Sequence, residues 1–287
     1  MPELTDLSVI RTLCEKYDFA LSKGFGQNFI INPGLPPKIV DASGVDKRYG
    51  VLEIGPGIGA LSHELCERAG KVVAVELDKT LLPILDETMA RFDNFEVVSA
   101  DILKTDIPAL VREKFAGLTP IVCANLPYNI TTPAITALIE SKCFESITVL
   151  VQKEVAERLC AAPGTSAYGA FSVFMQYYTE PEYLFAVPRE CFEPQPKVTS
   201  AVLRAVVRRE PPVEVEDEKF FFRVVYAAFA LRRKTLVNSL MTAFGSQLTK
   251  EQVTQAVTSC GLEANIRGER LGLSEFAALS AEIAALL

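Results

Sequence analysis

The chain contains the stretch Gly50-Val51-Leu52-Glu53-Ile54-Gly55-Pro56-Gly57-Ile58-Gly59, an apolar run followed by three closely spaced glycines. The run predicts a buried β-strand, and the glycines predict a tight turn at which the backbone comes close to a ligand. The spacing is GxGxG, whereas a dinucleotide-binding turn has GxGxxG. Pro56 also lacks the N–H group that an anion site would use. The turn is therefore predicted to bind an uncharged or cationic ligand rather than a diphosphate.

Strand and helix patterns alternate on either side of this turn, from about residue 50 to residue 160. Such alternation is typical of βαβ units and a parallel sheet that is covered on both faces. Two later strands are expected to close the sheet as an antiparallel edge pair. We therefore predict an α/β fold with a mostly parallel, seven-stranded, Rossmann-like sheet. The predicted strands are 50–54, 71–76, 95–100, 120–125, 146–152, 182–187 and 198–207, and the helices between them are 60–69, 79–92, 107–115, 131–141 and 168–178.

An acidic run with two prolines at residues 210–218 marks a domain boundary. Amphipathic helix patterns follow it at 219–231, 234–244, 249–260 and 274–286, with Thr249 and Ser274 as N-caps and Gly261 just after a helix end. We predict a catalytic domain at 1–209 that begins with a helical lead at 1–30. Residues 210–287 are predicted to form a small all-α domain.

Composition excludes several classes of protein. Hydrophobic residues make up 49% of the 287 residues, so a packed core is expected. The seven cysteines form no CxxC pair and are expected to be reduced, and the single histidine, His63, argues against a histidine-based metal site or a Ser-His-Asp triad. No apolar run approaches membrane-spanning length, and the N-terminus lacks the basic start of a signal peptide. A cytoplasmic location, no membrane partner and no metal are expected.

Polar residues follow the next three predicted strands. Glu76 lies 21 residues after Gly55, which is the offset of a ribose-binding carboxylate in Rossmann-like folds. Asp101 could accept a hydrogen bond from an adenine amino group, and Ile102 could cover a face of the ring; Asp101 could instead be only a cap or turn residue. Because ligands bind at the carboxyl ends of the strands, Gly55, Gly57, Glu76, Asp101 and Ile102 are candidate cofactor-binding residues.

The fourth strand ends in Asn125-Leu126-Pro127-Tyr128. A carboxamide oxygen and a backbone carbonyl at Leu126 or Pro127 could accept hydrogen bonds from an adenine amino group, and Tyr128 could stack on the base. The segment could also be an ordinary strand-to-helix turn, because Asn and Pro are common in turns. Together with the glycine turn and the two acids, it indicates transfer of a methyl group to the amino nitrogen of adenine.

These strand ends together resemble the class I S-adenosylmethionine-dependent methyltransferases. Four further motifs, over nearly the whole chain, are similar to the KsgA/RsmA-type ribosomal RNA small subunit (16S) adenine N6,N6-dimethyltransferases. They are Lys23-Gly24-Phe25-Gly26-Gln27-Asn28-Phe29-Ile30, Gln152-Lys153-Glu154-Val155-Ala156-Glu157-Arg158-Leu159, Phe192-Glu193-Pro194-Gln195-Pro196-Lys197-Val198-Thr199-Ser200-Ala201-Val202 and Arg232-Arg233-Lys234-Thr235.

The resemblance implies dimethylation of two adjacent adenosines in the 3′-terminal hairpin loop of 16S rRNA, and a role in ribosome biogenesis. The cofactor would be S-adenosylmethionine, and its product would be S-adenosylhomocysteine. The partner would be the immature small ribosomal subunit, and the protein itself would be a monomer. By motif position the cofactor contacts would be Asn28, Ile30, Gly55, Glu76, Asp101 and Asn125. The candidate catalytic residues are Asn125, Leu126, Pro127, Tyr128 and Phe192, although Phe192 could equally lie in the core.

The charge pattern bears on RNA binding. The net charge of −7 alone counts against a nucleic-acid partner. Residues 188–287, however, carry 13 basic and 12 acidic residues, so this part of the chain could form a local basic face. The candidate RNA contacts are Arg232, Arg233, Lys234, Lys153 and Lys197.

Three alternatives remain from the sequence. One is an erythromycin-resistance-type enzyme that methylates adenine in 23S rRNA, and another is a ribosome assembly factor whose catalytic activity is secondary. A nicotinamide-dependent oxidoreductase is disfavoured by the GxGxG spacing and by Pro56.

Overall fold

The computed structural model describes residues 3–19 and 27–287, and these divide into two compact units. The first unit runs to Ala156 and resumes at Glu182–Val207; the second contains Glu157–Pro181 and Arg208–Leu287. The chain passes from the first unit to the second for the last time between Val207 and Arg208, two residues before the predicted boundary between 209 and 210. The second unit also contains residues 157–181, which the sequence pattern assigns to the catalytic domain. Residues 20–26, part of the predicted helical lead and of the motif that begins at Lys23, lie outside the described residues.

The first unit is built on a mixed sheet. The described strands are β1 (Phe29–Ile30), β2 (Tyr49–Ile54), β3 (Lys71–Glu76), β4 (Phe95–Ser99), β5 (Thr119–Asn125), β6 (Ser146–Gln152), β7 (Thr179–Val187), β8 (Phe192–Glu193) and β9 (Ser200–Val207). Seven of them form a sheet in the order β4-β3-β2-β5-β6-β9-β7, while β1 and β8 pair separately. Strands β2 to β6 are parallel, and β9 is antiparallel to β6. The predicted α/β sheet with an antiparallel edge is confirmed.

Helices alternate with these strands along the chain. They are α1 (Leu7–Lys16), α2 (Leu35–Ser43), α3 (Ala60–Arg68), α4 (Leu82–Thr88), α5 (Ile107–Lys114), α6 (Thr131–Glu140) and α7 (Lys153–Leu159), the last of which begins in the first unit and ends in the second. Helix α4 begins later than predicted because a 3-10 turn at Lys79–Leu81, capped by Asp78, replaces its first turn, and it ends at Thr88 rather than at residue 92. Neither α2 nor α7 was predicted.

The core of the first unit lies between the sheet and its helices. Val51, Val72 and Ile121, on three neighbouring strands, are at most 1% exposed. A strand buried on both faces is apolar throughout, which is why these strands are evident in the sequence. In register, Leu52 of β2 lies between Val73 of β3 and Val122 of β5, so the carboxyl ends of these strands meet at one edge of the sheet.

The second unit contains α8 (Ala170–Tyr178), α9 (Glu218–Phe229), α10 (Leu236–Phe244), α11 (Lys250–Ser259) and α12 (Leu273–Ala284). The predicted helical C-terminal region is confirmed. Thr249 caps α11 and Gly261 has a left-handed φ of 73°, both as predicted. Ser274 is not an N-cap: α12 begins at Leu273, because the backbone N–H of Gly272 donates to the Glu275 carboxylate at 3.0 Å. Among the described residues, no helix is long and apolar enough to cross a membrane.

Candidate active site

The carboxyl ends of β2, β3 and β5, together with the residues that follow β4, line one cleft in the first unit. Almost all of the predicted cofactor and catalytic residues meet there. These are Asn28, Ile30, Gly55, Gly57, Glu76, Asp101, Ile102, Asn125, Leu126, Pro127 and Tyr128. Phe192 is the predicted residue that does not line the cleft.

The glycine turn forms one wall of the cleft. Gly55 and Gly57 have positive φ values of 68° and 60°, a backbone conformation that side chains with a Cβ rarely adopt. A Cβ at Gly57 would lie 3.2 Å from the Phe29 ring, and one at Gly55 would lie 3.3 Å from Pro127. Glycine is therefore favoured at both positions by the backbone conformation, and a side chain at either would press against Phe29 or Pro127.

Glu76 ends β3 and is 6% exposed. Burial raises the pKa of Glu76 to about 6. One carboxylate oxygen accepts a hydrogen bond from the Asp78 backbone N–H at 2.8 Å, and the Gln27 side chain donates to Asp78 at 2.8 Å. Gln27 and Asp78 thus support Glu76, a link between distant residues that the sequence pattern did not reveal. A buried carboxylate at this position can accept hydrogen bonds from a pair of hydroxyl groups.

Glu53 is a second buried acid at the cleft, and it was not predicted as a site residue. It is 1% exposed and accepts a hydrogen bond from the Ser62 hydroxyl at 2.6 Å. Burial raises the pKa of Glu53 to about 8, the charge of Glu76 raises it further, and the Ser62 hydrogen bond opposes both. A charged residue type inside an otherwise apolar strand was the signal that could have identified it.

We expect stability to fall as pH rises from about 5 to about 8. The Glu53 carboxyl has a higher pKa in the folded chain than its ordinary 4.5, so the unfolded chain ionises first and unfolding becomes easier through that range. The Glu53→Gln variant, which keeps the shape and an acceptor for Ser62, should lose this contribution, a total change in the free energy of unfolding on the order of a few kcal/mol over that pH range. Urea unfolding at several pH values measures it.

Two comparisons make this measurement specific. Burial also raises the pKa of Glu76 and lowers that of His63, which gives slopes of the same and of the opposite sign near pH 6, so the difference between parent and variant is the relevant quantity. The exposed Glu113→Gln substitution on α5 should keep the parent's slope. If the free energy of unfolding changed equally with pH in the parent and in Glu53→Gln, Glu53 would have to be ionised in the folded chain at neutral pH.

Asp101 and Ile102 follow β4. One Asp101 carboxylate oxygen accepts from the Leu103 N–H at 3.0 Å and caps a 3-10 turn, and the other lies 3.6 Å from the Lys104 ammonium. Asp101 is therefore a cap and also lines the cleft, so its two predicted roles are compatible. Ile102 is 4% exposed and contributes an apolar surface to the same wall.

Asn125 is held at the end of β5. Its side-chain nitrogen donates to the Asn28 backbone carbonyl at 3.2 Å, which leaves the carboxamide oxygen to accept other hydrogen bonds. The Pro127 carbonyl already accepts from the Ile130 N–H at 3.2 Å and from the Thr131 hydroxyl at 3.3 Å. The Leu126 carbonyl is therefore the better of the two predicted backbone acceptors.

The side chains of this segment divide between core and cleft. Leu126 is 1% exposed, so it contributes its backbone rather than its side chain. Tyr128 is half-buried, packs against the main hydrophobic core, and its hydroxyl lies 2.5 Å from that of Ser200. Burial raises the pKa of Tyr128, so the phenol stays protonated at neutral pH.

Phe192 lies in the core, the alternative that the sequence left open. It is 1% exposed and pairs with Ile30 where β8 meets β1. In this conformation its ring offers no face to a ligand in the cleft, because the core closes around it. A second stacking surface at Phe192 stays a prediction that requires the ring to leave this position.

The basic candidates are divided between the two units. Arg232, Arg233 and Lys234 are exposed in the turn between α9 and α10; Arg232 pairs with Glu269 at 3.2 Å and donates to the Ser166 carbonyl. In the first unit, Lys197 is exposed before β9 and Lys153 is half-buried at the start of α7. Within residues 3–19 and 27–287, no cluster of His, Cys, Asp or Glu is arranged to hold a metal ion.

Comparison with known proteins gives a consistent result. The family model described as "Ribosomal RNA adenine dimethylase" matches residues 19–282. The chain is 48% identical over 273 residues to a "Ribosomal RNA small subunit methyltransferase A" of Geobacillus sp. (strain WCH70), covering 94% of each chain. It is 49% identical over 280 residues to the protein of the same name from Streptococcus gordonii, covering 96% of this chain and 97% of that one.

Solved structures give the same fold. The 23S rRNA methyltransferase ErmE superposes with a TM-score of 0.70 at 25% identity, covering 90% of this chain and 100% of that one. A dimethyladenosine transferase from Plasmodium falciparum superposes with a TM-score of 0.74 at 24% identity, covering 90% and 98%.

Proposed function

Because this chain belongs to the ribosomal RNA adenine dimethylase family, we propose that it dimethylates the N6 amino groups of two adjacent adenosines in the 3′-terminal hairpin loop of 16S rRNA. The methyl donor is S-adenosylmethionine, and S-adenosylhomocysteine is the product. One observation carries the proposal. The glycine turn, Glu76, Asp101 and the segment from Asn125 to Tyr128 line a single cleft, so a nucleoside-containing donor and an adenine base would meet there.

The residues of the cleft fit such a donor. The Glu76 carboxylate is buried at the end of β3, lines the cleft, and would accept hydrogen bonds from the ribose hydroxyls. Asp101 would accept from the adenine amino group of the donor, and Ile102 would cover its ring. Gly55 and Gly57 line the cleft with backbone alone, and Asn28 and Ile30 line it as well. When bound, the donor supplies an electrophilic methyl group on a positively charged sulfur.

Asn125 and Leu126 act on the target base. The amino nitrogen of adenine is a poor nucleophile because its lone pair is delocalised into the ring. The carboxamide oxygen of Asn125 and the backbone carbonyl of Leu126 accept its two N–H groups, which favours a more tetrahedral nitrogen and directs the lone pair at the methyl group. Tyr128 stacks on the base, a contact worth about 1–3 kcal/mol. The target adenosine must first swing out of the RNA stack to reach the cleft.

This chemistry depends on position and electrostatics rather than on a strong base. His63 does not line the cleft; its ring packs edge-on against Phe92, with centroids 4.7 Å apart. The proton that the amino group releases on methylation is therefore passed to solvent once the transfer is complete.

The immature small subunit is the proposed substrate. The protein acts on it as a monomer in the cytoplasm. The parent protein should incorporate labelled methyl groups into unmethylated small subunits and leave large-subunit RNA unlabelled. The likeness to the 23S rRNA methyltransferase ErmE favours the large-subunit alternative, but its 25% identity is far below the 48% shared with the small-subunit relative. Labelling of large-subunit RNA instead would establish that alternative, and no labelling of either would favour a purely structural assembly factor.

We expect Arg233 and Lys234 to contact RNA phosphates. The double substitution Arg233→Gln, Lys234→Gln should weaken binding to small subunits and make log Kd less dependent on log salt, by about 1 to 2 in slope. Arg232 is left in place because it pairs with Glu269 and Ser166. Filter binding across a salt series measures the effect.

A matched double variant tests whether the effect is local. Arg112→Gln with Lys142→Gln removes two exposed cations, one in the last turn of α5 and one just after α6, and neither residue lines the cleft. It should keep the parental slope. A salt response that is equally steep in both variants and the parent would exclude the 233–234 turn from the RNA interface.

A further inference from the structure

Ser200 holds Tyr128 through a buried hydrogen bond. The two hydroxyl oxygens are 2.5 Å apart, although the residues are 72 positions apart in the chain. Ser200 belongs to the motif from Phe192 to Val202, and neither the family resemblance nor the cleft lining gave this serine a role. We propose that Ser200 is a positioning residue that fixes the Tyr128 ring as the stacking surface for the target base. This inference rests on the proposed function.

The backbone of Ser200 is fixed by the sheet. Ser200 is the first residue of β9 and lies opposite Gln152 in the antiparallel pair with β6. Just before it, the Thr199 carbonyl accepts from the Lys153 N–H at 2.9 Å. Tyr128, by contrast, lies in the connection between β5 and α6. The hydrogen bond therefore joins a loop residue that faces the cleft to a strand that cannot shift without disturbing the sheet.

Burial makes this hydrogen bond specific. Ser200 is 0% exposed, and among the described residues its hydroxyl bonds to the Tyr128 hydroxyl. If the bond broke, a polar group would be left buried without a partner, which is unfavourable. The Tyr128 ring is thus held near its backbone by the core it packs against and at its far end by Ser200. Loss of the bond would allow the ring to rotate about its two side-chain torsions and change the plane offered to a base.

The second methylation should depend on this ring more than the first. Unmodified adenine has two amino N–H groups, one for Asn125 and one for the Leu126 carbonyl. After one transfer only a single N–H remains, so one of these two hydrogen bonds is lost. Stacking on Tyr128 then contributes a larger share of the alignment, and small errors in alignment slow transfer strongly. A loosened ring should therefore cause monomethyladenosine to accumulate.

The test uses Ser200→Ala, Tyr128→Phe and the double variant on unmethylated small subunits with labelled S-adenosylmethionine. Nucleoside mass spectrometry measures mono- and dimethyladenosine. Each single variant should lower dimethylation by about 5- to 10-fold, the effect of one net hydrogen bond, and raise the ratio of mono- to dimethyladenosine. The affinity for S-adenosylmethionine should be unchanged. The double variant should be no worse than the more severe single variant, because both act through one bond.

Two further variants separate positioning from folding. Ser200→Thr keeps a hydroxyl and should restore the parental product ratio. Ser43→Ala removes another buried hydroxyl of the first unit, one that donates to the Val40 carbonyl at 2.7 Å, and should leave the ratio unchanged. If Ser200→Ala does not fold, Tyr128→Phe decides the question, since it removes the same bond from the cleft side.

The experiment distinguishes failure of the Ser200 proposal from failure of the proposed function. Additive losses in the double variant, or a parental product ratio in Tyr128→Phe, would overturn the role of Ser200 while the parent remains active. A parent that methylates neither subunit would overturn the proposed function, and this inference with it.

Discussion

Replacement of Asn125 by alanine is expected to reduce methyl transfer to about one per cent of the parental rate or less, while most of the affinity for S-adenosylmethionine remains. The carboxamide nitrogen is bound to the Asn28 carbonyl at 3.2 Å, so the oxygen is left to accept an N–H of the target base. Loss of one such acceptor should lower turnover on the order of 10²- to 10³-fold, as removal of a single preorganised polar group does elsewhere. Labelled methyl incorporation measures the loss, and calorimetry should find the cofactor Kd within about tenfold of the parent's.

A second asparagine provides the control for this variant. Asn94 is also partly buried, and its carboxamide donates to the Cys66 and Ala69 carbonyls at 2.9 and 3.2 Å, outside the cleft. Asn94→Ala should lose stability but keep turnover per folded molecule. Turnover close to the parent's in Asn125→Ala would exclude the carboxamide from the reaction.

The Glu76→Ala substitution should act on the cofactor first. Two hydrogen bonds from ribose hydroxyls to a buried carboxylate are strong, so the cofactor Kd should rise by about 10- to 100-fold. Because burial raises the pKa of Glu76 to about 6, the affinity of the parent should also fall as pH drops below that value. Calorimetric titration with S-adenosylhomocysteine from pH 5 to pH 8 measures both effects.

Conservative and remote variants make this result specific. Glu76→Gln keeps the shape of the side chain but cannot ionise, and its affinity should be weak with a flatter pH dependence. Glu113→Ala removes an exposed carboxylate on α5 and should bind the cofactor as the parent does. A Glu76→Ala variant with parental affinity would remove the ribose role of this residue.

The sheet could be predicted from sequence because its strands are buried on both faces. Each predicted strand from residue 50 to residue 152 is within one residue of the observed one at either end, as with β3 and β6, which match the predicted 71–76 and 146–152. The glycine turn and the polar residues at successive strand ends predicted where the cleft lies, because the carboxyl ends of parallel strands meet at one edge of the sheet. The family is confirmed by a match over residues 19–282.

Some helix starts could not be predicted because their local sequence resembles that of a loop or of a different helix start. The first turn of α2 is Leu35-Pro36-Pro37, a sequence typical of a loop, although proline is tolerated in the first turn of a helix, where its missing N–H has no partner within the helix. Helix α7 begins directly after β6 with no intervening turn residues to mark it. Ser274 resembles an N-cap, but the Glu275 carboxylate binds the Gly272 N–H and sets the helix start earlier.

The remaining features depend on tertiary contacts. The hydrogen bond between Tyr128 and Ser200 joins residues 72 positions apart, and no local pattern encodes it. The raised pKa of Glu53 follows from its burial and from the nearby charge of Glu76, against the opposing hydrogen bond from Ser62, and only the folded chain provides these surroundings. The core position of Phe192 depends likewise on the pairing of β8 with β1.

The acidic net charge of −7 also has a consequence for the substrate. A protein with this charge gains little from nonspecific attraction to phosphates, so affinity must come from local basic residues and from shape. We therefore expect an assembled small subunit to be bound more tightly than the isolated 16S rRNA.

The most direct measurement is mass spectrometry of 16S rRNA fragments after the protein has acted on unmethylated small subunits with labelled S-adenosylmethionine. We predict four labelled methyl groups on one fragment, two on each of two adjacent adenosines of the 3′-terminal hairpin loop, and about one per cent of that labelling or less in an Asn125→Ala reaction of equal duration. Methyl groups at another position of the base, at other sites in the RNA, or at the same level with Asn125→Ala would contradict the placement of an adenine amino group between Asn125 and the methyl donor.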